Sequence, residues 1–337
     1  QMHIDAWWFE NTQQAEKILQ PEWFTPKTHC GVCLEFEKLK FPFRFSVQAF
    51  CNAQMMFSRS FEICNAKDVS AYDIFIKNDA VLIKLFAENA SGLAEIICVT
   101  VETEHKTYKK QVKCKYSTIR GRITDFNGAP FPAAVAFERR AFGGKAPYIG
   151  AWSDKAGNYC VTVPNGDYGA FYVADNSYKT KTLENWSWNM CVDRDETHDF
   201  KIGTGEVYGL YARENADLGD ILFLYFRPMI LPQIRMQKRT IRLNNEPREV
   251  IDVQPDLEKD DIQIYLDGQK LKIYSLQRIY ETGIYNDGEY IVIAYIVQAE
   301  KPILNRGKHT VIVEYNTAGN YKAQGQGRTQ FFVRSVV

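Results

Sequence analysis

Through most of this chain apolar and polar residues alternate one by one, in short runs broken by turn-forming residues. "VCLEFEKLKF", "FRFSVQAF", "RSFEI", "YDIFIKND", "AVLIKLFAEN" and "AEIICVTVETE" follow one another, separated by Asn, Asp, Gly and Ser. A period of two puts successive side chains on opposite faces of an extended strand, so each run has one face to bury and one to wet. Short strands at this spacing pack as sheet on sheet. One segment departs from the pattern: "NTQQAEKILQ" (11–20) reads as a helix opening at Asn11 and stopping at Pro21. The fold class predicted is all-β.

Length and charge set the bounds. The 337 residues suffice for two or three domains, and 45% hydrophobic and 14% aromatic residues can build buried cores. Lys and Arg number 41, as do Asp and Glu, so charge gives no reason to expect a nucleic-acid partner. No apolar run approaches the roughly 20 residues of a membrane helix. The best run, "GDILFLYFRPMILP" (219–232), is broken by Arg227 and two prolines and reads as a buried strand.

The N-terminus, "QMHIDAWWFENTQQAEKIL", has neither a basic region nor an unbroken apolar core. With Met2 as the natural start there is no secretion signal, and the chain is placed in the cytoplasm. A secreted or cell-surface form with its signal removed would read the same way. Eight cysteines stand at 30, 33, 51, 64, 98, 114, 160 and 191. Cys98, Cys114 and Cys160 sit singly inside strand-like runs, where free Cys behaves as a small buried hydrophobe. The expectation is reduced thiols, against an alternative bridge from Cys64 or Cys51 to Cys98 across a sandwich. "THCGVC" offers His29, Cys30 and Cys33, but no second close pair of Cys or His accompanies them. The expectation is no metal and no cofactor.

The middle of the chain carries a more specific pattern. "IRGRITDFNGAPFPAAVAF" is followed by "AWSDKAGNYCVTVPNGDYGAFYV". Gly128 and Gly157 suit hairpin turns needing φ > 0, Asp125 and Asp154 can bond the backbone of those turns, and Tyr159 starts an inward-facing alternation. With Gly121, Pro130, Val163, Pro164, Gly166 and Tyr168, the unit resembles the carboxypeptidase regulatory-like domain, related to collagen-adhesin B-type repeats and the transthyretin-like fold. The resemblance implies a β-sandwich over about 117–202 that serves as spacer, folding aid or adhesion module. Some relatives crosslink a first-strand lysine to an asparagine. Here that strand reads "TIRGRITD", without lysine, so no such crosslink is expected. An insertion, "RRAFGGKAPYIGAW" (139–152), lengthens one hairpin into a candidate binding loop ending at Trp152.

The flanks resemble immunoglobulin-like domains. "FAENASGLAEIICVTVETEHKTYKKQVKCKY" looks like the last two strands of one. "DDIQIYLDGQKLKIYSL" and "GKHTVIVEYNTAGNYKAQGQGRTQFFV" look like an Ig- or fibronectin-like accessory domain, with His309 structural. The organisation predicted is three tandem β-sandwiches: Ig-like with an N-terminal segment (1–116), transthyretin-like (117–203) and Ig-like (204–337).

Chemistry is sparse. The chain has no G-x-S-x-G, Walker loop, H-E-x-x-H or Rossmann fingerprint. Its five histidines are scattered, and Asp193–Asp195 and Asp260–Asp261 fall in turn-like stretches, read as solvated. The stronger signal is aromatic. "SYKTKTLENWSWNM" places Trp186 and Trp188 two apart, on one face of a strand, with Tyr172 and Tyr178 just upstream. Such rings can cover the apolar face of a pyranose while Asn and Asp bond its hydroxyls. They can equally fill a core or an interface. "DAWWF" (5–9) is expected to pack the N-terminal segment onto a neighbour. The candidate binding residues are therefore Trp186, Trp188, Tyr172, Tyr178 and Trp152, with a glycan or a protein as partner. The leading expectation is a non-catalytic accessory or binding protein, carbohydrate-binding or adhesion-like. The alternatives are a structural scaffold or assembly subunit, and an enzyme with a site between domains.

Overall fold

The computed structural model describes residues 2–10, 28–37, 41–64, 74–77, 80–89, 95–139, 149–214, 219–231, 237–252, 254–285, 288–317 and 322–333. Among them the regular structure is β throughout, apart from one 3₁₀ turn at Lys259–Asp261. The chain is all-β. The helix expected over 11–20 lies outside the described residues.

Alternation builds the strands as the pattern demands. In Phe43–Cys51 the residues Phe45, Val47, Ala49 and Cys51 point inward while their neighbours face out. In Ile221–Ile230, inside the run read as a buried strand, every second residue is buried and the rest are half-buried. Two-residue turns with both central residues at positive φ close several hairpins: Asn52–Ala53, Asn244–Asn245 and Asp267–Gly268. This is the geometry whose twist matches that of paired strands. Gly128 and Gly157 take φ of 86° and 81°. Asp125 Oδ1 accepts from the amides of Asn127 and Ala129, and Asp154 Oδ1 from those of Ala156 and Asn158. The turn chemistry read from the middle pattern is present atom for atom.

Three buried clusters draw on three successive stretches. The first joins Val32 and Leu34 of one sheet to Phe45, Val47, Val99 and Val101 of another. The sheets run Met2–Glu10, Thr28–Glu37, Ala80–Asn89, Ile74–Lys77 and Gln54–Ile63, Phe43–Cys51, Ile96–Thr103, Thr107–Lys113. The second cluster packs Ile119, Ile123, Tyr159, Val161 and Val163 against Phe137, Tyr168, Phe171 and Val173. The third places Val207, Leu224, Phe226 and Tyr295 against Ile264, Val311, Val313 and Tyr315.

The sheets of the second and third stretches are not separate. One eight-stranded sheet runs Ile149–Trp152, Ala134–Arg139, Gly166–Ala174, Asn185–Val192, Gln324–Val333, Gly307–Asn316, Ile262–Leu266, Gln269–Lys270. Its joint is a parallel pairing of Trp186, Ser187 and Trp188 with Gly327, Arg328 and Thr329. One half covers the smaller sheet built on Tyr116–Asp125 and Asn158–Pro164; the other covers the sheet Gly205–Glu214, Ile221–Ile230, Gly288–Glu300, Ile273–Tyr285.

The cysteines partly depart from expectation. Cys51, Cys64, Cys98, Cys114, Cys160 and Cys191 are all free thiols. Cys98 and Cys160 are exposed and Cys114 half-buried, because these positions fall on or near the outer register of strands whose other face is buried. Cys51 pairs with Ile97, and Cys98 with Phe50, so Cys51 and Cys98 lie on opposite faces of one sheet and cannot bridge. The side chains of Trp7, Trp8, His29, Cys30 and Cys33 lie outside the described residues.

Candidate functional site

Pleating explains why several predicted aromatics meet. Trp186 pairs with Tyr172, Tyr172 with Ala136, and Trp152 with Ala134, which in turn pairs with Ala174. Directly paired residues share a face and alternate residues repeat it. Trp152, Tyr172, Trp186 and Trp188 therefore share one face of the eight-stranded sheet, with alanines between them. Tyr172 is buried, and the three tryptophans are half-buried. Tyr178 is not on the sheet. It sits in the loop before the strand, where Asp175 Oδ1 accepts from the hydroxyls of Ser177 and Thr182 and fixes the turn.

The rings form a row. Trp186 and Trp188 stack with centroids 4.9 Å apart and planes 14° from parallel. Tyr172 lies 5.1 Å from Trp186 at a tilt of 34°. Tyr208, 36% exposed on Gly205–Glu214, meets both indoles edge-on at 5.6 and 4.9 Å. Trp188 also packs against the third cluster. Both indole Nε1 atoms are enclosed without a hydrogen bond of regular geometry.

Two carboxyls lie beneath one end of the row. Glu206 is buried, and its Oε2 is 3.4 Å from the Glu184 amide. Burial pushes the Glu206 carboxyl up to about 8, helped by the nearby Glu184 charge. Burial likewise pushes Glu184 up to about 7, while the Trp186 indole N–H and the Lys179 charge pull it partly back. Tyr178, with Lys179 5.1 Å above its ring, is pushed up by burial and by both carboxyls. Sequence reasoning missed Glu184, Glu206 and Tyr208. The available signal was "GEVYGLY", where an acidic residue alternates with aromatics in a strand.

The opposite face of the same strands is polar and closed. Arg328, 3% exposed, donates from Nη2 to the Asp199 carbonyl at 2.7 Å and lies 4.8 Å over the Phe200 ring. Gln326 Oε1 accepts from Asn185 Nδ2 and the Lys201 amide, and its Nε2 donates to Glu314. Lys308 Nζ bonds the Cys191 carbonyl at 2.7 Å, Asp193 at 2.6 Å, and Glu196. Glu196 in turn meets His198 at 2.8 Å, where burial holds the imidazole below its usual range. Asp193 and Asp195 are exposed, as read, and also bonded: Asp195 Oδ1 accepts from the Thr118 amide. Asp261 closes a capping box with Glu258. His309 is held between Asp267 Oδ2 at 2.6 Å and the Asn305 carbonyl at 2.7 Å, a structural clamp on the Asp–Gly turn.

Among the described residues no group of three His, Cys, Asp or Glu could hold a metal ion, and no helix is long and apolar enough to cross a membrane. No protein-family model matches the sequence, and no curated protein matches it at a significant level. Among solved structures, the chain is similar to a provisionally named carbohydrate-binding protein of Bacteroides uniformis at 10% identity. That alignment spans 64% of this chain and 99% of the other, with a TM-score of 0.23. The full-length major pilin SpaD of Corynebacterium diphtheriae aligns at 9% identity over 59% and 67%, TM-score 0.22. A streptococcal ancillary pilin aligns at 8% over 99% and 96%, TM-score 0.20. Superpositions this loose carry no argument about what the chain does.

Proposed function

We propose that this chain is a non-catalytic accessory protein that binds carbohydrate along the row Trp152, Tyr172, Trp186, Trp188 and Tyr208. The observation that supports it most is the shared face: four of the five aromatics expected from the sequence lie on one side of one sheet, with Tyr208 edge-on against Trp186 and Trp188. Half-buried rings offer C–H-facing surface without the full desolvation cost of a core residue. Glu184 beside Trp186 is a hydroxyl partner at the edge of that surface. In this reading the unit over 117–203 is a carboxypeptidase regulatory-like sandwich that supplies the rigid support, flanked by Ig-like units over 1–116 and 204–337.

The experiment is a glycan array on the wild type, followed by titration of any hit against Trp186→Ala and Tyr208→Ala. Loss of binding in both, with the fold retained by circular dichroism, supports the reading. An array without hits, or hits indifferent to both substitutions, overturns it.

A second reading, a structural scaffold, is favoured by the continuous eight-stranded sheet. Strand pairing across the joint, with the Lys308 and Arg328 contacts, fixes two units rigidly, as a spacer requires.

A further inference from the structure

We propose that Glu184 and Glu206 form a pH gate on the aromatic row: when both carry charge, the stretch bearing Trp186 loosens from the strand bearing Tyr208, and the row loses its grip on a ligand. The ligand half of this rests on the carbohydrate reading above; the loosening of the two stretches does not.

The gate is one pattern written twice. Glu184 stands two residues before Trp186, and Glu206 two before Tyr208. Glu206 and Tyr208 pair with Met229 and Arg227, so both point to one side of Gly205–Glu214. The two stretches meet acid against acid and ring against ring. Glu206 Oε2 lies 3.4 Å from the Glu184 amide, and Trp186 meets Tyr208 at 5.6 Å with planes 81° apart. Just upstream, the Leu183 amide is tied to the Gly203 carbonyl at 3.0 Å and serves as the hinge.

The surrounding charges leave the pair one cation. From the loop before Asn185, Tyr178 and Lys179 face the carboxyls, and Lys179 is the basic group that acts on both. Asp175, in the same loop, accepts from Ser177 and Thr182, and Lys181 is exposed. From the neighbouring strand Ile221–Ile230, Arg227 is paired with Glu281 at 2.7 Å, and Met229 opposite Glu206 is neutral. From Gln324–Val333, Gly325 lies against the Glu206 amide. Lys322 gives its carbonyl to Thr204 and is exposed, and Lys201, on the polar face, is paired with Glu314.

One ammonium can balance one carboxylate. Burial holds Glu184 up at about 7 and Glu206 at about 8, so the second charge arrives last and without a countercharge. Two like charges this close in an enclosed site repel. Separating the stretches and admitting water relieves the repulsion, and it takes Trp186 off Tyr208.

The first measurement is hydrogen exchange by mass spectrometry on the ligand-free full chain at pH 6 and pH 9, each corrected to the intrinsic rate. At pH 9, protection over 183–188 and 204–209 should fall about tenfold more than over the rest of the eight-stranded sheet. Glu206→Gln, which keeps the shape and drops the charge, should remove that local loss. Glu184→Gln also leaves a single acid and gives the same answer where Glu206→Gln fails to fold. Uniform loss across the chain, or the same local loss in the variants, overturns the gate. The second measurement titrates a neutral glycan from the array at both pH values. Wild type should weaken roughly tenfold at pH 9, and Glu206→Gln by no more than about threefold. Binding indifferent to pH overturns the gate and leaves the carbohydrate reading standing. An array without hits removes the carbohydrate reading, and the exchange data then decide by themselves whether the stretches part.

Discussion

The strands Asn185–Val192 and Gln324–Val333 have two faces that invert the usual rule about what is buried. On one, Asn185, Ser187, Gln326, Arg328 and Gln330 are almost wholly enclosed. On the other, Trp186 and Trp188 are only partly covered. Burial here follows position in the sheet rather than hydrophobicity. The polar face lies where two units meet, so Asn185, Gln326, Arg328 and Gln330 each bond across a seam, while Asn185 Oδ1, Ser187 Oγ and Arg328 Nε and Nη1 are enclosed without a partner. The aromatic face lies at the margin of the third core, so its rings are only partly covered. Leaving a buried polar group unbonded costs about 1–3 kcal/mol, a cost this face avoids only in part. What the contrast teaches is that one strand can carry a closed polar face and a partly covered aromatic one.

Glu206 is the largest lever on that contrast, a buried acid on the aromatic side. Its folded pKa, about 8, stands above the ordinary 4.5. The native state therefore keeps a proton that the unfolded chain releases, and stability falls as pH rises from about 4.5 to about 8. The difference corresponds to roughly 5 kcal/mol. Glu206→Gln should lose this part of the fall, keep the part that Glu184 contributes between about 4.5 and about 7, and gain on wild type through the window, levelling off above it. Urea melts at pH 5, 6.5 and 8.5 measure it. Parallel profiles for the two proteins would mean Glu206 is charged and solvated, and the aromatic margin more open than described.

Lys308 tests the seam. Its ammonium is 5% exposed and neutralises Glu196, itself 11% exposed, with the more open Asp193. Lys308→Met keeps the stem but leaves Glu196 without its cation, which should cost about 3 kcal/mol. Adding Glu196→Gln should recover much of the loss, because the uncompensated charge is the cause. If Lys308→Met is neutral in denaturant melts, the seam is wetter than the geometry states, and the two faces differ less than they should.

How far the sequence revealed these features depends on their range. Local ones were legible: the inward register of Tyr159, Val161 and Val163, the turns at Gly128 and Gly157, and the Asp–Gly hairpin at Asp267 are set by neighbours in the chain. The shared face of Trp186 and Trp188 was legible for the same reason. The pairing of Trp186 with Gly327 was not, since parallel pairing between distant strands leaves no periodic trace. "QGQGRTQ" has the composition of a solvated strand, yet Gln326, Arg328 and Gln330 are buried because the other unit covers them. Reading Cys98 and Cys160 as buried failed because alternation fixes two registers but not, around a polarizable residue, which one faces in.

The two tryptophans separate the margin into an inner and an outer part. Trp188 packs on the third core and Trp186 on Tyr172, and both are half-buried. Full truncation of a buried aromatic costs ~3–5 kcal/mol, and half-burial reduces it in proportion. Trp188→Ala should cost about 2 kcal/mol and Trp186→Ala about 1.5 kcal/mol, by thermal and chemical melts. A larger loss at Trp186 than at Trp188 would make the outer ring the structural one and remove it from the binding surface.

The smallest effect expected is the cleanest probe of the seam's hydrogen bonding. Tyr159 Oη donates to the His198 carbonyl at 2.6 Å, next to the Asp199 carbonyl that Arg328 holds. Burial raises the Tyr159 hydroxyl far above its usual pKa, so it stays protonated and donating at any working pH. Tyr159→Phe deletes that one donor and no carbon, so cavity and packing change little. The cost should be about 1 kcal/mol, the net value of a typical buried hydrogen bond, and flat between pH 5 and 9. A double-mutant cycle with Arg328→Met then reads whether the two adjacent carbonyls behave as one network. Coupling above about 0.5 kcal/mol joins them, as a seam that aligns two units by shared polar contacts requires. Strict additivity would reduce the seam to independent bonds, leaving the parallel strand pairing to hold the units in register by itself.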